Sequence, residues 1–286
     1  MSLTHTICIP VDVTNPGQFF ACCGLLELAA RLWPGTEAGF DANGFLIMVP
    51  DANATLNTLL KGIQCAEPAV SHDPHSQTAE DDEIEEADDG DDEDKLAKPM
   101  SLGAPFNMTL DWWADKTLKP WAGSMNAQLI FRAMRKAINP EIADPFSDFR
   151  VVHDPADPAP SGRRAKKPKK REPFYFDSRR GGNAKSLDVG FAPDAFSMTS
   201  AACPAVESLC VVGLQRFRPM PTDQPRVFVY RDWRIPLLPS AAAAAACGLL
   251  PGVGGHHYRF ENAFRTDQRK HKGFLPATRI TEGDIP

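Results

Sequence analysis

No run of 18 apolar residues occurs in this chain, so the sequence offers no transmembrane helix. Met1 to Pro10 lacks a basic region followed by an apolar stretch. No secretory signal is read there, and a cytoplasmic protein is expected. No CxxC or HxxxH spacing is present. The seven cysteines are odd in number and irregularly placed, which argues against a disulfide framework and against zinc. They read as reduced, buried, small hydrophobes. His5, His72, His75 and His153 are scattered without metal-ligand spacing, so no metal and no cofactor is expected. No internal repeat at a fixed period is visible.

What is present is a charge balance that the net value conceals. The chain carries 31 Lys+Arg and 37 Asp+Glu, a net of −6. Twelve of those acids lie between Glu80 and Asp94, with no base among them. Without that run, 25 acids face 31 bases, a net of +6. Residues 163–286 hold 21 basic and 11 acidic residues, a net of +10. A basic body with a separable acidic run suits a polyanionic partner. At 286 residues and 43% hydrophobic, the chain can bury a sizeable core as one domain.

The pattern along the chain predicts an α+β fold. Thr6 to Val13 alternates as a strand, and Thr14-Asn15-Pro16-Gly17 turns into a helix over Gln18 to Leu32. Gly24 lies inside that helix and points to a close helix–sheet contact. A strand over 45–49, a helix over 54–63, a strand over 106–113 and a helix over 126–138 follow. The last helix is expected to carry Arg132, Arg135 and Lys136 on its polar face. Residues 174–176 and 186–191 read as strands around a turn. Residues 201–217 read as a helix, 226–235 as a strand, 241–250 as a helix, and 258–264 as the last strand. The expected architecture is a mixed or antiparallel sheet with helices packed on it, with a ferredoxin-like (RAMP) core as one candidate. Two insertions interrupt it. Residues 67–98 are acidic and read as disordered; residues 154–173 read as a basic, Pro-rich loop.

Candidate site residues are cationic. Arg163, Arg164, Lys166, Lys167, Lys169, Lys170 and Arg171 form a tract that can bind polyanions by counterion release. The turn Arg179-Arg180-Gly181-Gly182, with Lys185 after it, combines forked donors with glycines that let a backbone approach a phosphate. It does not end Gly-Lys-Ser/Thr, so it is not a Walker loop. Arg259, Arg265 and Lys272 add cations near the C-terminus. His256-His257 follow Gly252-Val253-Gly254-Gly255, a setting in which a histidine could act as general acid or base. The plainer reading there is a basic contact segment without chemistry. Asp12 and Asp111 read as caps or edge residues.

Two blocks carry a family resemblance. The first is Val11-Asp12-Val13-Thr14-Asn15-Pro16-Gly17-Gln18-Phe19-Phe20-Ala21-Cys22-Cys23-Gly24-Leu25-Leu26-Glu27-Leu28. The second is Pro173 to Arg180, followed by Leu187-Asp188-Val189-Gly190-Phe191. They resemble the third Csb protein of type I-U (also called I-G) CRISPR–Cas systems. The resemblance implies a subunit of an RNA-guided surveillance complex in antiviral defence. Its partners would be guide RNA, target DNA or both, the other Csb subunits, and a helicase-nuclease. It transfers no catalytic residue, so a non-enzymatic, nucleic-acid-binding role is expected. A metal-independent endoribonuclease using His256 or His257, and an adaptor for the helicase-nuclease, are the alternatives.

Overall fold

A computed structural model describes residues 5–70, 99–121, 125–155, 169–181, 201–265, 271–281 and 283. β1 (His5–Ile9) ends in a turn where Asp12 accepts from Thr14, and the Asn15 amide donates to the Asp12 carbonyl at 3.0 Å. α1 (Pro16–Leu32) follows. Asn15 caps it, accepting from the Gly17 and Gln18 amides, and Pro16 takes the first helical position, where a missing N–H costs nothing. All fourteen residues from Pro16 to Ala29 are buried, the polar Gln18 and Glu27 among them. α1 is therefore a central helix covered on all sides. β2 (Glu37–Phe40), β3 (Phe45–Val49), α2 (Leu56–Cys65) and β4 (Pro68–Val70) complete the first part.

β5 (Met100–Leu102) and β6 (Met108–Leu110) precede a 3₁₀ turn at Trp112–Ala114. α3 (Ala127–Ala137) is capped by Asn126. The short α4 (Ser178–Gly181) leads to the described part of the chain that contains α5 (Pro204–Arg216). β7 (Met220–Pro221), β8 (Val227–Arg231), α6 (Pro239–Ala246), β9 (His257–Phe264), β10 (Lys272–Phe274) and β11 (Thr278–Ile280) follow.

α1 and α5 cross at the centre of the molecule, and glycine allows it. A Cβ on Gly24 would lie 2.1 Å from the Leu209 carbonyl oxygen. A Cβ on Gly213 would lie 1.9 Å from the Phe20 carbonyl oxygen. Each helix presents a glycine to the backbone of the other. The close partner of Gly24 is thus a helix, where the sequence suggested a sheet. Cys22, Cys23 and Cys210 fill the same layer, fully buried.

Every strand pair among the described residues is antiparallel. The fold is α+β, and the described residues build three open sheets. β1-β3-β2 is the first, with His5 opposite Val49 and Glu37 opposite Met48. Its order, with α1 between β1 and β2, is that of three ferredoxin-like strands. Among the described residues no fourth strand joins this sheet, and β4 pairs with β5 in the sheet β4-β5-β6. The described residues therefore do not complete a four-stranded ferredoxin-like sheet. The third sheet runs β10-β9-β8-β7, with β11 also on β9.

Several sequence expectations shift. Pro68–Val70 is a strand, so the acidic insertion begins after it, and the rest of that insertion lies outside the described residues. Residues 174–176 run extended and buried but form no strand, and 186–191 lie outside the described residues. Arg135 is not on a polar face. It is fully buried and donates to the Ile63 and Gln64 carbonyls and to Glu67 at 2.7 Å. β10 and β11 follow the strand read as the last.

Candidate nucleic-acid interface

The two blocks that carry the resemblance are far apart in sequence and meet in space. Asn15 Nδ2 donates to Asp177 Oδ1 at 2.8 Å, and Asn15 Oδ1 accepts from the Ser178 amide at 3.1 Å. One side chain therefore caps both α1 and α4. Gly17 lets the segments touch: a Cβ there would lie 2.4 Å from the Phe176 carbonyl oxygen. Glu207, in the first turn of α5, accepts from the amides of Phe176 at 3.4 Å and Asp177 at 3.2 Å. Asp177 and Glu207 are both fully buried. Burial, and then the charge of Asp177, push Glu207 up to about 8.

Arg179 is taken up by this junction. Its Nε and Nη2 fork onto Asp177 at 2.9 and 2.6 Å, and Nη2 also donates to the Phe146 carbonyl at 2.8 Å. The Phe149 ring lies 4.4 Å from Cζ. Burial opposes the charge on Arg179, but the hydrogen bonds and charge of Asp177 outweigh it and raise its pKa. The guanidinium thus neutralises a buried carboxylate, an arrangement whose loss is costly because it strands the partner charge. The turn it occupies is the short helix α4 and not a loop between two strands. For Arg180 the structure describes the helical backbone alone, and Lys185 lies outside the described residues.

The cations that gather on a surface are elsewhere. The loop 115–121 lies along the end of the third sheet. Asn262 Nδ2 donates to the carbonyls of Thr117, Leu118 and Lys119 at 2.9, 3.0 and 3.4 Å. The Lys272 amide donates to the Pro120 carbonyl at 2.8 Å, and Lys272 Nζ donates to the Lys116 and Thr117 carbonyls at 2.8 and 3.5 Å. These bonds bring Lys116, Lys119, Arg226 and Lys272 into one field. Burial, then Arg226 and then Lys119, push Lys272 down to about 8. Burial, then Lys116, lower Lys119. Asp115 is the acid in this field, and Glu261 stands 3.8 Å from Arg226. Aromatic rings back the cations: Lys119 Nζ is 5.5 Å from the Trp121 ring centre, and Arg226 Cζ is 4.6 Å from that of Phe264. At the adjoining hairpin corner, Arg265 Cζ stacks 3.3 Å from the Tyr175 ring centre.

Like charges held this close raise the free energy of the fold, and an anion placed among them lowers it. Of the cations expected from the sequence, Lys272 belongs to this corner, whereas Arg265 packs against Gly273 and Tyr175 on the other face of the β9–β10 hairpin. Arg259 does not belong to it either: it alternates with Tyr258 and Phe260 and lies exposed on the other face of β9. Lys116, Lys119 and Arg226 were missed. The signal available was Lys116-Thr117-Leu118-Lys119 beside Trp121, but nothing in the sequence places that loop against β10.

The basic tract contributes its foot. The Asp154 amide donates to the Lys169 carbonyl at 2.8 Å, and the Arg171 amide to the Val152 carbonyl at 2.9 Å. Arg171 forks onto Asp154 at 2.7 and 2.6 Å. Lys169 and Lys170 are exposed. Arg163, Arg164, Lys166 and Lys167 lie outside the described residues. His257 begins β9 and is 7% exposed, and the His256 amide donates to Asp232. Among the described residues, no group of three or more His, Cys, Asp or Glu is placed to hold a metal ion, and no helix is long and apolar enough to cross a membrane. No protein-family model, no curated protein and no solved structure matches the chain.

Proposed function

We propose that the chain is a non-catalytic nucleic-acid-binding subunit of a CRISPR RNA-guided surveillance complex, contributing to guide RNA or target DNA binding. The observation that carries the binding role is the corner of Lys116, Lys119, Arg226 and Lys272, backed by aromatic rings and held by a loop stapled to β9 and β10. A phosphodiester backbone supplies the anions this field favours, without base-specific contacts. The exposed foot of the basic tract, Lys169 and Lys170, adds further cations to the chain's surface. The CRISPR assignment rests on the two sequence blocks, which the fold joins through Asn15 and Asp177 into one structural unit. In that reading the blocks build the body, and the binding surface lies on the third sheet.

The test is a salt titration. Full-length protein is bound to a fluorescent single-stranded RNA and to a DNA duplex at several salt concentrations. Replacing Lys119, Arg226 and Lys272 with Gln together should reduce the slope of log K against log salt by about 2–3 units, one for each phosphate contact removed. An unchanged slope would remove this corner from the interface. Co-purification with the neighbouring Csb subunits and guide RNA tests the assignment to the complex.

A further inference from the structure

A second cationic feature lies at the C-terminal ends of α1 and α5 and shares no residue with the proposed interface. Glu27 is buried, with a side chain 4% exposed, and two arginines converge on it. Arg31, in the last turn of α1, gives Nε and Nη2 to Oε1 at 2.9 and 2.8 Å, and its Nη1 to the Phe106 carbonyl at 2.9 Å. Arg216, in the last turn of α5, gives Nε to Oε2 at 2.6 Å and Nη2 to Oε1 at 3.3 Å. Burial would raise Glu27, but hydrogen bonds and charge, from Arg216 and then Arg31, outweigh it and hold the carboxyl ionised.

The bookkeeping of donors is uneven. Arg31 has all three nitrogens on protein acceptors. Arg216 commits one edge, Nε–Nη2, to Glu27, and no described acceptor takes its Nη1. Two guanidiniums face one carboxylate, which leaves a charge of +1. Both arginines line a groove of about 420 Å³ with Glu27, Asn107, Met108, Thr109 and Gln215. That volume lies within the range of about 300–1,000 Å³ typical of small-molecule sites. The walls are rigid. Gln215 accepts from the Asp111 and Trp112 amides at 3.0 and 3.2 Å and donates to Asp111 at 2.8 Å, and Thr109 is held in the β5–β6 ladder opposite Ser101. Arg216 is itself pre-oriented by Glu27, so a ligand meets a guanidinium whose ordering cost is already met.

We propose that this groove binds a small molecule through one oxyanion, a carboxylate or a phosphate, received by the Nη1 edge of Arg216. Thr109 and Asn107 offer polar contacts to the rest of the molecule, and Met108 an apolar one. A forked guanidinium edge matches two oxygens of either group. The site is independent of the cationic corner on the third sheet.

Thermal unfolding of the full chain in sodium acetate, and separately in inorganic phosphate, tests it against sodium chloride at matched ionic strength. At ten times Kd the midpoint should rise by about 2 °C with at least one of the two anions, and the responding anion names the group. Thr109→Trp fills the groove without touching the Glu27 ion pairs and should abolish the rise. Arg216→Lys keeps a charge on Glu27 but loses the fork, and should weaken the apparent affinity about fivefold or more. The triple Gln variant of Lys119, Arg226 and Lys272 should keep the full rise, which separates this site from the nucleic-acid surface. No rise with either anion overturns the proposal. So does a rise that survives Thr109→Trp or vanishes in the triple variant.

Discussion

Replacing Gly213 with Ala sets two effects of known sign against each other at the centre of the fold. Helix propensity favours the change: Ala is better than Gly in a helix interior by about 1 kcal/mol. Sterics oppose it. The new Cβ would sit 1.9 Å from the Phe20 carbonyl oxygen, whereas real Cβ atoms essentially never come within 3.0 Å of such an atom. The obstacle is backbone on both sides, since the Gly24 nitrogen lies 2.8 Å from the same point. No side chain can swing away, so α1 and α5 must part by about 1 Å. A gap of that size forfeits about a quarter to a half of each dispersion contact along the seam. Overpacking of this kind costs about 3 kcal/mol, so the net loss is about 2 kcal/mol and sterics win. Urea unfolding followed by circular dichroism reads it as a lower midpoint at unchanged slope, with a thermal midpoint down by about 3 °C. Gly62 in α2 is the comparison. A Cβ there meets a side chain instead of backbone, the tip of the Phe106 ring at 3.1 Å, which has to give by only a few tenths of an ångström. Gly62→Ala should therefore be neutral or stabilising by up to about 1 kcal/mol. A Gly213→Ala protein as stable as the parent would refute the close crossing.

Glu207 gives a pH prediction. In the unfolded chain a glutamate ionises near its ordinary value of about 4.3, while in the fold Glu207 ionises at about 8. Between those values the folded chain holds the extra proton, so this group makes stability fall as pH rises, by about 1.4 kcal/mol per unit. Glu207→Gln should flatten the stability profile across that window; parallel profiles for the two proteins would show that Glu207 is not protonated in the fold. Burial raises the thiols of Cys22 and Cys23, whereas Cys8 and Cys65 are exposed. A thiol reagent should therefore modify Cys8 and Cys65 first in native protein, and label Cys22 or Cys23 early only if this packing is wrong. Cys22→Ser should cost about 1–3 kcal/mol through a buried hydroxyl, read by urea unfolding, and leave the RNA affinity of the folded protein unchanged.

Local signals in the sequence were enough for the elements that carry their own pattern. Asn15-Pro16-Gly17 before an apolar run announces the start of α1, because a capping side chain and a proline without an N–H suit that position whatever surrounds it. The strand Phe45–Val49 and the helix Ala127–Ala137 are visible for the same reason, through a short apolar run in one and 3.6-residue periodicity in the other. The class α+β follows from those elements, and the cationic second half from simple counting. Elements of three or four residues, such as β4, β5, β10 and β11, are too short to show a period, and they exist because a neighbouring strand pairs with them. Tertiary structure alone decided which charges are free to act. Arg179 and Arg171 look like ligand-binding residues in a list of cations, yet Asp177 and Asp154 consume them. Arg135 looks solvated on a helical wheel and is buried on Glu67. Lys119, Arg226 and Lys272 come from three separate parts of the chain, and the carbonyls of loop 115–121 bring them together. A charge is a property of the residue, but the field it meets depends on distance and burial, and both are set by contacts between residues far apart in the chain.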